Sequence, residues 1–126
     1  THDNDTAKGW YETLDEEHQE YVREYVSAAD SAAVVKQLIK TAYLSVADTV
    51  IIQMQDILEK DNSARMNYPS TLGTNWKWRL KEGQFSKELQ KEMLTLATRF
   101  GRKNWHVKSM VRRDRKESGK WLMKSV

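Results

Sequence analysis

The chain has 126 residues, 39% hydrophobic and 31% charged, with 21 Lys/Arg against 18 Asp/Glu and a formal net charge of +3. This is enough apolar material for one domain with a core, and it argues against global disorder. The absence of cysteine excludes a disulfide framework and any thiolate metal site, and no apolar run approaches the roughly 18 residues that a bilayer span requires.

The charge is unevenly placed. Residues 99–126 carry ten Lys/Arg and two Asp/Glu, a net +8, while residues 1–98 carry eleven and sixteen, a net −5. No signal peptide is visible and the first residue is not Met, so the expectation is a fragment or processed product in a soluble, reducing, cytoplasmic setting.

The opening stretch, THDNDTAKGW, packs His2, Asp3, Asn4 and Asp5 into its first half. Such density of polar side chains cannot be a buried strand, because each buried polar group needs a partner. It reads as a loop presented by a scaffold, although chain ends are often polar for no functional reason. Thr13-Leu14-Asp15-Glu16 fits a capping box, a Thr cap with Glu three residues later. The helix it opens places His18, Tyr21, Val22, Tyr25 and Val26 on one inward face, with Glu16, Glu17, Glu20 and Glu24 on the other side. His18 is expected to be a packed side chain rather than a ligand, since metal sites need several convergent ligands.

Asp30 or Ser31 caps a second helix, with Val34, Val35, Leu38, Ile39, Ala42 and Tyr43 inward, ending near Leu44. Residues 49–54, TVIIQM, then form a nearly continuous apolar, β-branched run, the pattern of a strand buried on both faces. One strand cannot satisfy its own backbone groups, so its partners would lie outside this chain. The stretch ARMNYPSTLGTNWKWRL, residues 64–80, holds the sole proline and reads as a structured loop. If extended, it puts Trp76 and Trp78 on one side, as loop anchors or as sugar contacts. Ser86 caps a third helix, with Leu89, Met93, Leu94, Leu96 and Ala97 inward and Gly101 as the stop. The basic tail beyond it, residues 103–126, shows no single period and no internal repeat.

THDNDT followed by Gly9-Trp10 resembles the loop after the seventh strand of the 4-α-glucanotransferases (amylomaltases), glycoside hydrolase family 77 of the α-amylase clan. VADTVIIQMQDIL followed by ARMNYPSTLGTNWKWRL is similar to that family's eighth strand and its loop, and the two motifs arrive in the family's order. The resemblance covers residues 1–102. It departs at Ser70, where a Gly is common, and at residues 59–61, which lack the usual glycines.

The resemblance implies an α/β fold, the C-terminal βα units of a (β/α)8 barrel, mostly helical within this chain. Such barrels carry their sites on loops after the strands. It implies a retaining transfer of α-1,4-glucan segments through a covalent glycosyl-enzyme. An Asp nucleophile and a Glu acid/base would lie upstream of Thr1, leaving the chain inactive alone. Asp3 maps onto a third acid that stabilises the transition state, and His2, Asn4, Asn67, Asn75 and Trp76 onto the substrate-binding surface. No metal and no cofactor is implied. The implied partners are maltodextrins, with no nucleic acid and no membrane. Unpaired apolar strand surface would favour self-association of the chain.

The competing reading is a small helical interaction module. Its basic tail, with Trp105 and Trp121, would bind nucleic acid or another acidic partner through phosphate contacts and stacking. The acidic body and the lack of a nucleic-acid-binding motif stand against it.

Overall fold

Short polar side chains start three of the five α-helices among the described residues. The computed structural model describes residues 3–73 and 75–103. Helix α1 (Ala7–Glu12) begins where buried Thr6 accepts a hydrogen bond from the Gly9 N–H. Helix α2 (Glu16–Val26) is capped by Asp15, which accepts from the His18 N–H. A single 3-10 turn (Ser31–Ala33) with Asp30 as its cap leads into α3 (Val34–Leu44). The short α4 (Met54–Ile57) and a second 3-10 turn (Asn62–Ala64) follow, and α5 (Lys87–Arg99) starts at Ser86, whose hydroxyl accepts from the Leu89 N–H.

Helix α3 is the centre of the body and touches α1, α2, α4 and α5. Its Val34, Val35 and Ile39 are buried, together with Tyr11, Val26 and Ala64 from its neighbours. Each such aliphatic side chain contributes roughly 1.5–3 kcal/mol when fully buried. The Tyr11 hydroxyl accepts from Arg23 Nη1 at 2.8 Å and lies 3.1 Å from Ser31 Oγ, joining α1, α2 and the turn before α3. At the far end Arg102 donates to the carbonyls of Tyr43, Ser45 and Ala47 at 2.7, 2.8 and 2.9 Å, which satisfies the backbone where α3 runs out.

Several expectations are corrected. The opening loop stops at Thr6, because residues 7–12 are helical. The capping box at Thr13 does not form: Thr13 ends α1, and Asp15, two residues on, is the better acceptor at the helix start. His18 is exposed and its Nδ1 sits 2.6 Å from Asp15 Oδ1, so it supports the cap instead of packing in a core. Tyr21 and Tyr25 are 66% and 73% exposed and stack on each other, leaving Val26 as the buried residue of that face. Leu94 is exposed as well.

The strand expected at residues 49–54 is absent, as is every other strand among the described residues. Residues 49–53 are irregular and Met54 opens α4. The reason is the one that governs any sheet: a ladder needs a neighbouring strand, and none of the described segments offers one. Ile51 is 90% exposed in consequence. Trp76 and Trp78 do not share an extended face, because Trp76 has φ +64° and breaks the alternation. Trp76 is half exposed and Trp78 is more covered.

Two departures from the family pattern meet a backbone reason. Glu59 (φ +52°) and Ser70 (φ +61°) both lie in the left-handed region, where glycine carries no Cβ penalty. Glu59 ends α4 as a left-handed cap, its N–H donating to Asp56 O at 3.0 Å and the Lys60 N–H to Gln55 O at 2.9 Å.

Candidate functional site

The polar segment ahead of α1 is tied to side chains 48 to 57 residues downstream. Gln53 Nε2 donates to Asp5 O at 3.2 Å, and the Ala7 N–H donates to Asp56 Oδ1 at 2.7 Å. Asp5 Oδ1 accepts from the Thr6 N–H at 2.7 Å, and Asp5 Oδ2 accepts from Asn62 Nδ2. Gly9 makes this closeness possible. A Cβ there would stand 2.8 Å from Asp5 Oδ1 and 2.9 Å from both Asn62 N and Thr6 Oγ1.

The second loop is folded by its own side chains. Asn75 Oδ1 accepts from the Tyr68 N–H at 2.9 Å, while its Nδ2 donates to Thr71 O at 3.0 Å. The Tyr68 hydroxyl donates to Asn62 Oδ1 at 2.7 Å, and the Trp76 N–H donates to Met66 O at 2.7 Å.

The two loops meet. Asn67 Nδ2 donates to Asp3 Oδ1 at 2.6 Å. Arg65 reinforces the junction: Nη2 donates to Asp3 O at 2.6 Å, Nε donates to Asn67 O at 3.0 Å, and Nη1 lies 3.6 Å from Asp5 Oδ2. Its guanidinium sits 4.8 Å from the centre of the Tyr68 ring, within cation–π range.

Beside the junction a cleft of about 340 Å³ is lined by Asn4, Trp10 and Gln53, with Asp5 and Asp56 in its wall. Burial pushes the Asp56 carboxyl above its usual value; the Ala7 N–H bond opposes this and the neighbouring Asp5 charge adds to it. Asp3 is exposed, whereas Asp5 and Asp56 are partly covered and committed to backbone and side-chain donors. Among the described residues no group of three or more His, Cys, Asp or Glu could hold a metal ion.

Of the residues singled out from sequence, Asp3 and Asn67 are in contact and Asn4 lies on the adjacent cleft. Asn75 and Trp76 belong to the second loop, where Asn75 closes the turn. His2 lies outside the described residues, as does most of the basic tail. Arg65 and Asn62 were not singled out, and Asp5 only as part of the polar opening stretch. The contacts by which they join the two loops span 57 to 62 residues, and no local pattern marks them.

A sequence profile of the 4-alpha-glucanotransferase family, glycoside hydrolase family 77, matches residues 1–86. The chain belongs to the 4-alpha-glucanotransferase family. It is 42% identical over 105 residues to the 4-alpha-glucanotransferase of Streptococcus pneumoniae, covering 82% of this chain and 21% of that protein. It is 44% identical over 92 residues to the chloroplastic/amyloplastic family member of Arabidopsis thaliana, covering 73% of this chain and 16% of that one. An amylomaltase from Streptococcus agalactiae, solved in complex with acarbose, superposes with a TM-score of 0.78 at 33% identity, over 82% of this chain and 21% of the other. The chain therefore spans 21% of the length of these bacterial family members. No helix among the described residues is long and apolar enough to cross a membrane.

Proposed function

We propose that this chain is the closing part of the catalytic domain of a 4-α-glucanotransferase. In this reading it supplies the last βα units of a (β/α)8 barrel. The irregular residues 49–53 become its final strand once they lie beside strands from the rest of the protein, which is how an exposed Ile51 would be covered. The reaction is a retaining transfer of α-1,4-glucan segments, with the nucleophile and the acid/base residue on earlier strands.

Asp3 is the third acid. As oxocarbenium character develops, a fixed carboxylate beside the sugar hydroxyls interacts more strongly with the distorted ring than with the ground state. His2, Asn4, Asn67 and Trp76 contact the glucan, and Asn75 contributes through the loop that it closes. Maltodextrins are the substrates, and no nucleic acid is involved.

The observation that carries this reading is the Asn67–Asp3 hydrogen bond at 2.6 Å. It joins the two motif loops at the residues that the family resemblance marks for the sugar. The test is incubation with maltotriose. The full-length protein should produce glucose together with longer maltodextrins, and the purified 126-residue chain should produce neither. A product ladder from the chain alone would place the nucleophile and acid within it. An inert full-length protein would remove the glucanotransferase reading.

A further inference from the structure

We propose that Arg65 is a positioning residue for the transfer reaction, clasping the main chain of Asp3 to that of Asn67 so that the Asp3 carboxylate is preset before the sugar arrives. The proposal rests on the function proposed above.

One guanidinium does four things here. It donates to Asp3 O at 2.6 Å and to Asn67 O at 3.0 Å, faces Asp5 Oδ2 at 3.6 Å, and covers the Tyr68 ring at 4.8 Å. The first two bonds hold the backbones of the two residues whose side chains then bond each other at 2.6 Å. The ring closed by Arg65, Asp3 and Asn67 fixes both the position of the Asp3 backbone and the direction of its carboxylate. Only 20% of the Arg65 side chain is exposed, so the fold holds most of its length while its bond to Asp3 O lies at the surface.

The geometry requires arginine. A planar fork can reach two carbonyls and a carboxylate while its face lies on an aromatic ring, whereas a lysine ammonium is a point charge that cannot serve all four. The body does not depend on this clasp. Residues 5–7 keep their bonds to Gln53, Asp56 and Asn62 without it, so loss of the guanidinium loosens Asp3 against Asn67 rather than unfolding the chain.

The test is a double-mutant cycle in the full-length protein with maltotriose, using Arg65→Lys, Asp3→Asn and the double variant. Arg65→Lys should lower kcat about 10- to 100-fold, the scale of a misplaced reacting group, with KM and the thermal unfolding midpoint nearly unchanged. Asp3→Asn should lower kcat about 10²- to 10³-fold. In the Asp3→Asn background, Arg65→Lys should cost almost nothing more, because its effect passes through the carboxylate already removed.

Independent, multiplying losses would overturn the positioning role and leave the reading of Asp3 intact, as would a fully active Arg65→Lys beside an inactive Asp3→Asn. An active Asp3→Asn would overturn both. If Arg65→Lys lowers the unfolding midpoint sharply, Arg65→Gln, which keeps a planar donor, supplies the second arm. A rate loss that merely follows lost stability across the two variants would mark Arg65 as structural and end the proposal.

Discussion

The side-chain amide of Asn67 donates to Asp3 Oδ1 at 2.6 Å across a sequence separation of 64 residues. A bond of that length to a carboxylate orients the acceptor as well as stabilising it. In the full-length protein Asn67→Ala should lower kcat about tenfold, equivalent to roughly 1.4 kcal/mol of barrier, with KM moving much less. Steady-state kinetics on maltotriose checks this. An unchanged kcat would mean that Asp3 needs no help from Asn67.

Gly9→Ala should destabilise the chain severely for so small a change. The added methyl carbon would sit 2.8 Å from Asp5 Oδ1 and 2.9 Å from the Asn62 backbone nitrogen. Backbone cannot rotate away as a flexible side-chain tip does, so overpacking of about 1–3 kcal/mol is expected. Thermal unfolding should show a midpoint several degrees lower. An unaffected midpoint would show that the junction between α1 and the Asn62 turn is loose.

Asp56 gives a pH dependence whose sign follows from burial. Its folded-state pKa is raised above the ordinary carboxylate value of 3.8, so between that value and the higher folded value the folded state holds more protons than the unfolded state. Its contribution to stability is therefore greatest below 3.8 and declines as pH rises through the folded value. Asp56→Asn keeps an oxygen for the Ala7 N–H and removes the buried charge. The variant should gain stability relative to wild type near neutral pH, and the gain should vanish in acid. Chemical denaturation at pH 3 and pH 7 distinguishes this from a loss at both.

Ser70→Gly should stabilise the second loop. A serine at φ +61° bears a left-handed penalty of about 1–2 kcal/mol, and the extra freedom of an unfolded glycine offsets about 0.4–1 kcal/mol of the relief. A net gain near 0.5–1 kcal/mol is expected from these opposing terms. Denaturant titration reads it through the midpoint, and a loss of stability would mean that the serine side chain holds the turn.

The isolated chain should self-associate. Ile51 is 90% exposed in the segment proposed to complete a barrel, and Val46 just ahead of that segment is fully exposed. Sedimentation should find species larger than a monomer, and Ile51→Lys should shift them toward it. A wild-type chain that stays monomeric at high concentration would sink this expectation.

What could be read from the sequence was what is decided locally. Ser86 as a cap and Gly101 after α5 depend on groups within a turn of each other. Where two acceptors competed two residues apart, as Thr13 and Asp15 did, pattern alone chose the wrong one. The apolar run at residues 49–54 had no period to separate strand from helix, and its outcome depended on partners that none of the described segments supplies. Asp3 and Asn67 were marked by family likeness and are in contact in the structure, while Arg65 was not marked. Its ligands are two carbonyls and a carboxylate, the nearest two residues away and the others 60 or more.

The span between Asp3 and Asn67 also sets an order of events during synthesis. Helices α2 and α3 can pair as they emerge, since their caps and mutual packing are drawn from neighbouring stretches. Asp5, Ala7 and Asp3 must wait for Gln53, Asp56, Asn62 and Arg65 to be made. At about 5–20 residues per second, the interval between Asp3 and Asn67 is roughly 3–13 s. A ribosome-bound chain passes that time with α2 and α3 able to pair while the junction of the two loops is still unassembled.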